Sequence, residues 1–552
     1  MTKNRSCDLL AVAMLVLALT SVTGAVYAQT YSVVYNLGSM AGDPILPSGI
    51  IAQGRDGNLY GTAPQGGANG DGAVFKITPA GTLTVVYSFD SAHGSSPAGG
   101  LTLGTDGSFY GTTSSAGASG HGTIFKVTPS GNLHVLYNFT GGSDGGIPLA
   151  SPIQGTDGNF YGTTLSGGTN GSGTVYKITA FGNFTTLYSF DITHGESPLS
   201  PLVQGTDGNL YGTTQDGGTG NYGVVYKIKP SGKLTVIYNF DFTHGYGPIS
   251  PLVQGSDGNF YGTTFLGGSK RSGVIFKVTP TGKLTVLHNI NGTTEGRSPA
   301  AGLALATDGK FYGVNYTNGT KFEGTMFRIS PKKPYPYKVL YTFDLTTGAN
   351  PETTLLQHTN GILYGDTQIG GTGNVNPCSS VSTCGVFYSL NIGAGSFVSL
   401  VSASGKVGKT IEILGQGFIG TTGVSFNGTT ASFKISTDTY LTATVPNKAT
   451  TGFVTVTTPG GTLTSNKVFR VTPVILSFKP TSGTVGTPVT ITGTSFTGTT
   501  RVTFGGVPAT SFSVDSDTQV TATVPAGAKT GRIAITTPGG TAISKDVFTV
   551  TS

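Results

Sequence analysis

Three loops of this chain carry the same reactive side chains at the same spacing: Asp90 and His93, Asp191 and His194, and Asp241 and His244, each pair followed by glycine in an Asp-x-x-His-Gly pattern. An imidazole and a carboxylate so placed can hydrogen-bond a polar ligand, and several such pairs around one opening could hold a metal. The same five residues also make a self-sufficient loop, in which Asp caps the backbone, His packs locally and Gly takes a positive φ. The corresponding stretches Thr294-Glu295-Gly296 and Thr347-Gly348 lack the histidine, which argues against a symmetric ring of ligands. These six residues form the candidate ligand-binding set; no catalytic residue, metal or cofactor is expected.

An enzyme would need a nucleophile and base, or two carboxylates with no structural reason to exist. Carboxylates outside the repeat grammar are Asp71, Glu196, Asp216, Glu295, Glu323 and Asp366, and none sits in a recognisable motif. Cys378 and Cys384 stand six positions apart in one loop. In an oxidising compartment they are expected to form a local disulfide, and two thiolates fall short of a zinc site.

The charge balance narrows the partners. Only 10% of the 552 residues are Asp, Glu, Lys or Arg, and a net charge of +6 spread over this length leaves no basic cluster beyond Lys332-Lys333. Nucleic acid is not an expected partner. The N-terminus pairs Lys3 and Arg5 with an apolar run from Leu9 to Leu19 and small residues up to Ala28, the pattern of a secretory signal peptide over residues 1–28. No later segment is long and apolar enough to span a bilayer. The expectation is a secreted or cell-surface monomer.

The loops are held by an array. A turn of the Asp-Gly type recurs at 56, 106, 157, 207, 257, 308 and, as Asn-Gly, at 360, a period of about fifty residues. With 88 Gly, 28 Pro and no Trp, the composition is that of a β protein. Each unit reads as four short strands, for example Pro201 to Gly205, Leu210 to Thr214, Gly223 to Ile228 and Leu234 to Phe240. Alternation in the last of these predicts a strand buried on both faces. The fourth-strand motif already occurs at Tyr31 to Leu37, before the first complete unit, while the last unit stops after its third strand, Gly385 to Leu390. The orphan fills the gap, and a closed ring has no exposed sheet edges. The prediction is an all-β chain whose residues 29–393 form a seven-bladed β-propeller closed by the N-terminal strand. Its Asp-x-x-His-Gly loops then share one face with the connections between second and third strands. The Asp-Gly turns lie on the other face. Tyr60, Tyr110, Tyr161, Tyr211, Tyr261, Tyr312 and Tyr364 follow those turns at a fixed position, which assigns them to packing between blades. One acidic residue per turn is too few for calcium.

The run Asp-Gly-Asn-(Leu/Phe)-Tyr-Gly-Thr-Thr, with Phe/Tyr-Lys-Ile/Val-Thr-Pro-x-Gly and Leu-Thr-Val-Leu-Tyr-Asn-Phe, resembles the GloVer (Gloeo-Verruco) repeat of exported bacterial proteins over residues 31 to about 392. Departures fall at Ala63, at Gly313-Val314-Asn315, at Gly365-Asp366-Thr367 and at the Lys332-Lys333-Pro334 insertion. The resemblance implies a fold and transfers no activity. From Ser396 the period changes: Ser404-Gly405 through Gly417-Phe418 returns as Ser482-Gly483 through Ser495-Phe496, and Thr457-Thr458-Pro459-Gly460-Gly461 as Thr536-Thr537-Pro538-Gly539-Gly540. Both copies resemble IPT/TIG modules, which implies two immunoglobulin-like β-sandwiches at 394–472 and 473–552. The turns are also weakly similar to the Asp-box of sialidase propellers and to virginiamycin-lyase-type propellers, but Tyr stands where the latter have Trp.

The sequence therefore favours an exported, non-catalytic protein for adhesion, scaffolding or binding of an extracellular glycan or surface protein through the propeller loop face. The alternative is a propeller lyase or hydrolase acting on an extracellular polysaccharide.

Overall fold

The computed structural model describes residues 29–373 and 384–552, so the expected leader and Cys378 lie outside the described residues. Within them the chain is strand and turn with no helix, and no helix long and apolar enough to cross a membrane is present among them.

Seven four-stranded sheets share one nearest-neighbour order. The first holds Ser48–Gln53, Leu59–Ala63, Ala73–Ile77 and Leu83–Ser88. In the seventh, Thr30–Asn36 pairs antiparallel with Val386–Asn391, followed by Leu363–Asp366 and Leu356–Gln357. The N-terminal strand thus covers the edge that the C-terminal end of the array would otherwise expose.

Two expectations about the strands need correcting. The first strand of a unit is shorter than expected: in the fourth sheet it is only Val203–Gln204, and it has two residues as well where glycine replaces Pro201, as in Thr102–Leu103 and Ala304–Leu305. Full burial falls on the second strand, such as Leu210–Thr214, and on most of the third, Val224–Ile228, whereas Leu234–Asn239 is only half-covered. The fourth strand is the outer one, so its alternation reflects partial cover by neighbouring sheets.

Two contacts recur between neighbouring sheets. The turn tyrosine stacks on the aromatic residue opening the next sheet's second strand: Tyr60 on Phe109 at 4.1 Å between centroids, Tyr110 on Phe160 at 3.7 Å and Tyr211 on Phe260 at 3.9 Å. Tyr364 of the seventh sheet packs in one cluster with Leu59 and Phe75 of the first. In addition, a first-strand glutamine side chain accepts from the turn backbone of the preceding sheet: Thr105 N–H to Gln154, Thr156 to Gln204, Thr206 to Gln254 and Thr307 to Gln357. The same bond joins Thr359 of the seventh sheet to Gln53 of the first at 3.0 Å. The array therefore meets itself.

The glycine of each Tyr-Gly-Thr run has a packing cause. A Cβ on Gly212 would sit 2.5 Å from the Tyr226 hydroxyl, and one on Gly61 2.8 Å from the Phe75 ring. Third-strand aromatics need that space.

After the sheets, two units each pack two sheets around a separate core, one including Ile411, Phe426, Val456 and Phe469 and the other Val489, Phe504, Ile533 and Phe548. The first unit rests on the Asp-Gly-turn face. Arg55 reaches Glu412 at 2.6 Å and lies over the Tyr440 ring, Thr439 donates to the Arg55 carbonyl, and Gln416 donates to Thr359. Arg470 donates to the Thr206 carbonyl at 2.7 Å. These contacts fall on the first, seventh and fourth sheets, so the unit lies across the turn face and leaves the loop face open.

Candidate functional site

The Asp-x-x-His-Gly loops are built alike. One oxygen of Asp90 accepts both the His93 backbone N–H, at 2.9 Å, and sits 2.7 Å from His93 Nδ1. Asp191 with His194 and Asp241 with His244 repeat the pairing, with Nδ1 at 2.8 and 2.9 Å. Each imidazole stays about half exposed. Burial would raise the Asp191 carboxyl, but hydrogen bonds from Thr193 and His194 outweigh it and hold the group at about 2. Asp90 and Asp241 are also held low, Asp90 chiefly by the His93 hydrogen bond. The glycine that ends the pattern has φ of +131° at Gly245, and a Cβ there would lie 2.5 Å from Thr264. Each loop thus brings its own Asp and His together. No hydrogen bond joins one pair to another, and no group of three or more metal-ligating residues occurs among the described residues.

The turn tyrosines point inward. Tyr60, Tyr110, Tyr161, Tyr211, Tyr261 and Tyr312 each donate to the turn aspartate four residues earlier, at 2.7 to 2.9 Å. In each of these six turns the other carboxylate oxygen accepts a backbone N–H, as from Asn58 to Asp56. Stacking against the next sheet and hydrogen bonding to the turn account for these rings, and both oxygens of Asp56 are engaged.

The carboxylates outside the repeat have separate surroundings. Asp71 accepts from Ser91, Glu295 meets His288 Nε2 at 2.8 Å, and Glu323 contributes its carbonyl to the Asn350 N–H. Asp366 is buried where the first five sheets carry Thr62, Thr112, Thr163, Thr213 and Thr263. Burial pushes its carboxyl up, a hydrogen bond from Thr353 opposes the rise and the Glu352 charge adds to it, leaving the group at about 7. Cys384 is buried in a cluster with Leu37 and Ile45.

A surface patch that the motifs do not mark lies between the fourth and fifth sheets. Tyr222 sits in the connection between Leu210–Thr214 and Val224–Ile228, while Phe242 and Tyr246 sit in the link that leads to Val253–Gln254. Tyr222 stands 6.0 Å from Phe242 and 5.7 Å from Tyr246, centroid to centroid. The Tyr246 hydroxyl donates to Asp216 at 3.2 Å, and Asp216 is bridged through the backbone to Glu196. Phe242 and Ile192, at the same place in the preceding link, are exposed. Three aromatic rings and two carboxylates therefore share the face that carries His194 and His244. At the position of Tyr222 the other six units carry Asp71, His121, Ser172, Ser272, Glu323 and Cys384. The position varies from unit to unit, and Tyr222 is the aromatic residue it carries.

A family model described as the Gloeobacter/Verrucomicrobia repeat matches residues 46–256 and 233–440, and one for the IPT/TIG domain matches residues 473–551. No curated protein matches the chain. Among solved structures, a surface glycan-binding protein of Prevotella bryantii is 20% identical over 28% of this chain and 39% of its own, with a TM-score of 0.21. A protein from a xyloglucan utilization locus of Bacteroides uniformis is 21% identical over 28% and 48%, with a TM-score of 0.15. A fungal alcohol oxidase in complex with copper is 14% identical over 80% and 98%, with a TM-score of 0.43. The chain thus spans less than half the length of the first two.

Proposed function

The chain belongs to the Gloeobacter/Verrucomicrobia repeat family and carries an IPT/TIG domain at residues 473–551, and from that premise we propose that it is an exported, non-catalytic protein that binds an extracellular glycan on its loop face. In this reading residues 29–393 are a seven-bladed propeller closed by the N-terminal strand, residues 394–472 are a first immunoglobulin-like module and 473–552 a second, and a Cys378–Cys384 disulfide ties the last loop. Nucleic acid is not a partner, and the protein acts as a monomer delivered by the signal sequence at 1–28.

The observation that carries the reading is the grouping of Tyr222, Phe242 and Tyr246 beside Asp216 and Glu196. An aromatic face bears partial negative charge and accepts the weakly positive C–H face of a sugar ring, while carboxylates accept its hydroxyls. Asp191, His194, Asp241 and His244 flank the patch, and their half-exposed imidazoles add polar contacts; Asp90 and His93 belong to a more distant loop of the same face.

A glycan array probed with the mature chain, with the supernatants assayed for cleavage, tests this. The expected result is retention of a neutral polysaccharide that the Tyr222→Ala/Tyr246→Ala protein no longer binds. Retention unchanged by that double substitution, or release of soluble fragments, would overturn it, the latter in favour of a lyase or hydrolase.

A further inference from the structure

One carboxylate of the loop face has no partner. Glu352 follows Pro351 where the chain enters the seventh sheet, and it takes part in no hydrogen bond or ion pair among the described residues. It is partly covered, but its oxygens stay in contact with solvent. Burial pushes its carboxyl up. Its charge acts on Tyr316 of the sixth sheet and on Asp366 of its own. An unpaired charge held in such a place costs free energy.

The other sheets show that the fold does not require it. Just after each second strand, a backbone N–H bonds a carbonyl two residues before this position: Ser114 to Ser96, Leu165 to Ile147, Gln215 to Ser197, Phe265 to Gly247, Tyr316 to Ser298 and Gln368 to Asn350. Proline follows every one of those carbonyl residues. After the proline come Ala98, Leu149, Leu199, Ile249 and Ala300 where the seventh sheet has Glu352, and Ser48 takes the same place in the first. Glu352 is the one charged residue at this position.

Side chains alternate across a strand. Thr353 bonds Asp366 and Leu355 sits in a core with Tyr312 and Val314 of the sixth sheet, so Glu352 and Thr354 face the other way, toward the axis on which the first strands converge. At the level of Thr354 those strands touch. The Gly302 N–H donates to Thr354 Oγ1 at 2.9 Å, a Cβ on Gly302 would lie 2.7 Å from Pro251, and the Leu101 N–H bonds the Ile50 carbonyl at 3.1 Å. The level of Glu352 is therefore the wall of a funnel that opens on the loop face and narrows directly below.

The wall is asymmetric. Beside Glu352 the first and sixth sheets place the small Ser48 and Ala300, which leave room at the carboxylate. Across the axis the third, fourth and fifth sheets place Leu149, Leu199 and Ile249, all partly covered and none of them part of the cores between sheets. A cation seated against Glu352 would offset the cost of its burial, and a hydrocarbon group attached to that cation would take the apolar side chains opposite out of water.

We propose that this funnel binds a small organic ammonium ion with a hydrocarbon body, an alkylamine or arylalkylamine, whose charged head pairs with Glu352 and whose body covers Leu149, Leu199 and Ile249. The site is separate from the aromatic patch on the same face.

Calorimetric titration of the full mature chain with n-hexylamine and phenethylamine at neutral pH, where both are protonated, tests it against the uncharged 1-hexanol and 2-phenylethanol. At least one amine is expected to bind, and to do so at least about fivefold more tightly than its alcohol. Glu352→Gln is expected to erase that preference by weakening the amine alone, with no fall in melting temperature. The Tyr222→Ala/Tyr246→Ala protein should bind the amine as the parent does. The proposal is wrong if neither amine gives a saturable isotherm, if the preference over the alcohol is smaller, if Glu352→Gln retains it, or if the double substitution weakens the amine.

Discussion

At the scale of the residue, the buried Asp366 makes the sharpest prediction. Its carboxyl is raised to about 7 in the folded chain, whereas an unfolded aspartate titrates near 3.9. Between those values the folded state binds the extra proton. Stability from this group is therefore complete below about pH 4 and falls as pH rises to about 7, with no further loss above, by a few kcal/mol at most. Asp366→Thr recreates the hydroxyl pair that Ser200 makes with Thr213 at 3.0 Å. Urea titrations across this range should show the substitution stabilising the protein at pH 8 and removing the slope. Glycine gives a second test: Gly245→Ala forces a Cβ against Thr264 at positive φ and should cost about 2 kcal/mol, seen as a lower denaturation midpoint. The packing of the turn tyrosines is legible because their position is fixed by the period, whereas their bond to the turn aspartate emerges only in the structure. The aromatic patch is not legible, because Tyr222, Phe242 and Tyr246 converge from two loops with no periodicity to relate them.

At the scale of the element, the N-terminal strand is the piece on which closure depends. Tyr31 stacks on Tyr341 of the sixth sheet at 3.8 Å and donates to the Thr347 carbonyl, while its strand pairs with Val386–Asn391. A chain beginning at Gly38 should leave Val386–Asn391 as an open edge. Size-exclusion chromatography is expected to show it aggregating while the chain from Gln29 stays dispersed. This arrangement was readable by counting fourth-strand motifs against third-strand motifs. The glutamine bonds from sheet to sheet are not evident in the sequence, although Gln53, Gln154, Gln204, Gln254 and Gln357 recur with the period. A polar residue on a two-residue strand has no hydrophobic pattern to announce it, and Leu103 and Leu305 interrupt the series. The outer strands are less buried than their alternation suggests, because alternation reports a covered face without reporting how completely it is covered.

At the scale of the whole molecule, the first C-terminal unit lies against the turn face, which leaves the loop face to a ligand. Arg55 and Glu412, 357 positions apart, hold that docking, and nothing in either neighbourhood marks the partnership in sequence. Since both side chains are partly exposed, Arg55→Ala should cost only about 1–2 kcal/mol. Limited proteolysis should then show new cleavage between the last sheet and residue 400. The central claim, that the loop face binds glycan through the aromatic patch, is tested most directly by calorimetric titration of the best-retained glycan into the full mature chain and into its Tyr222→Ala/Tyr246→Ala variant. Loss of affinity of tenfold or more, with the melting temperature unchanged, is the predicted result; equal affinity in the two proteins would contradict it.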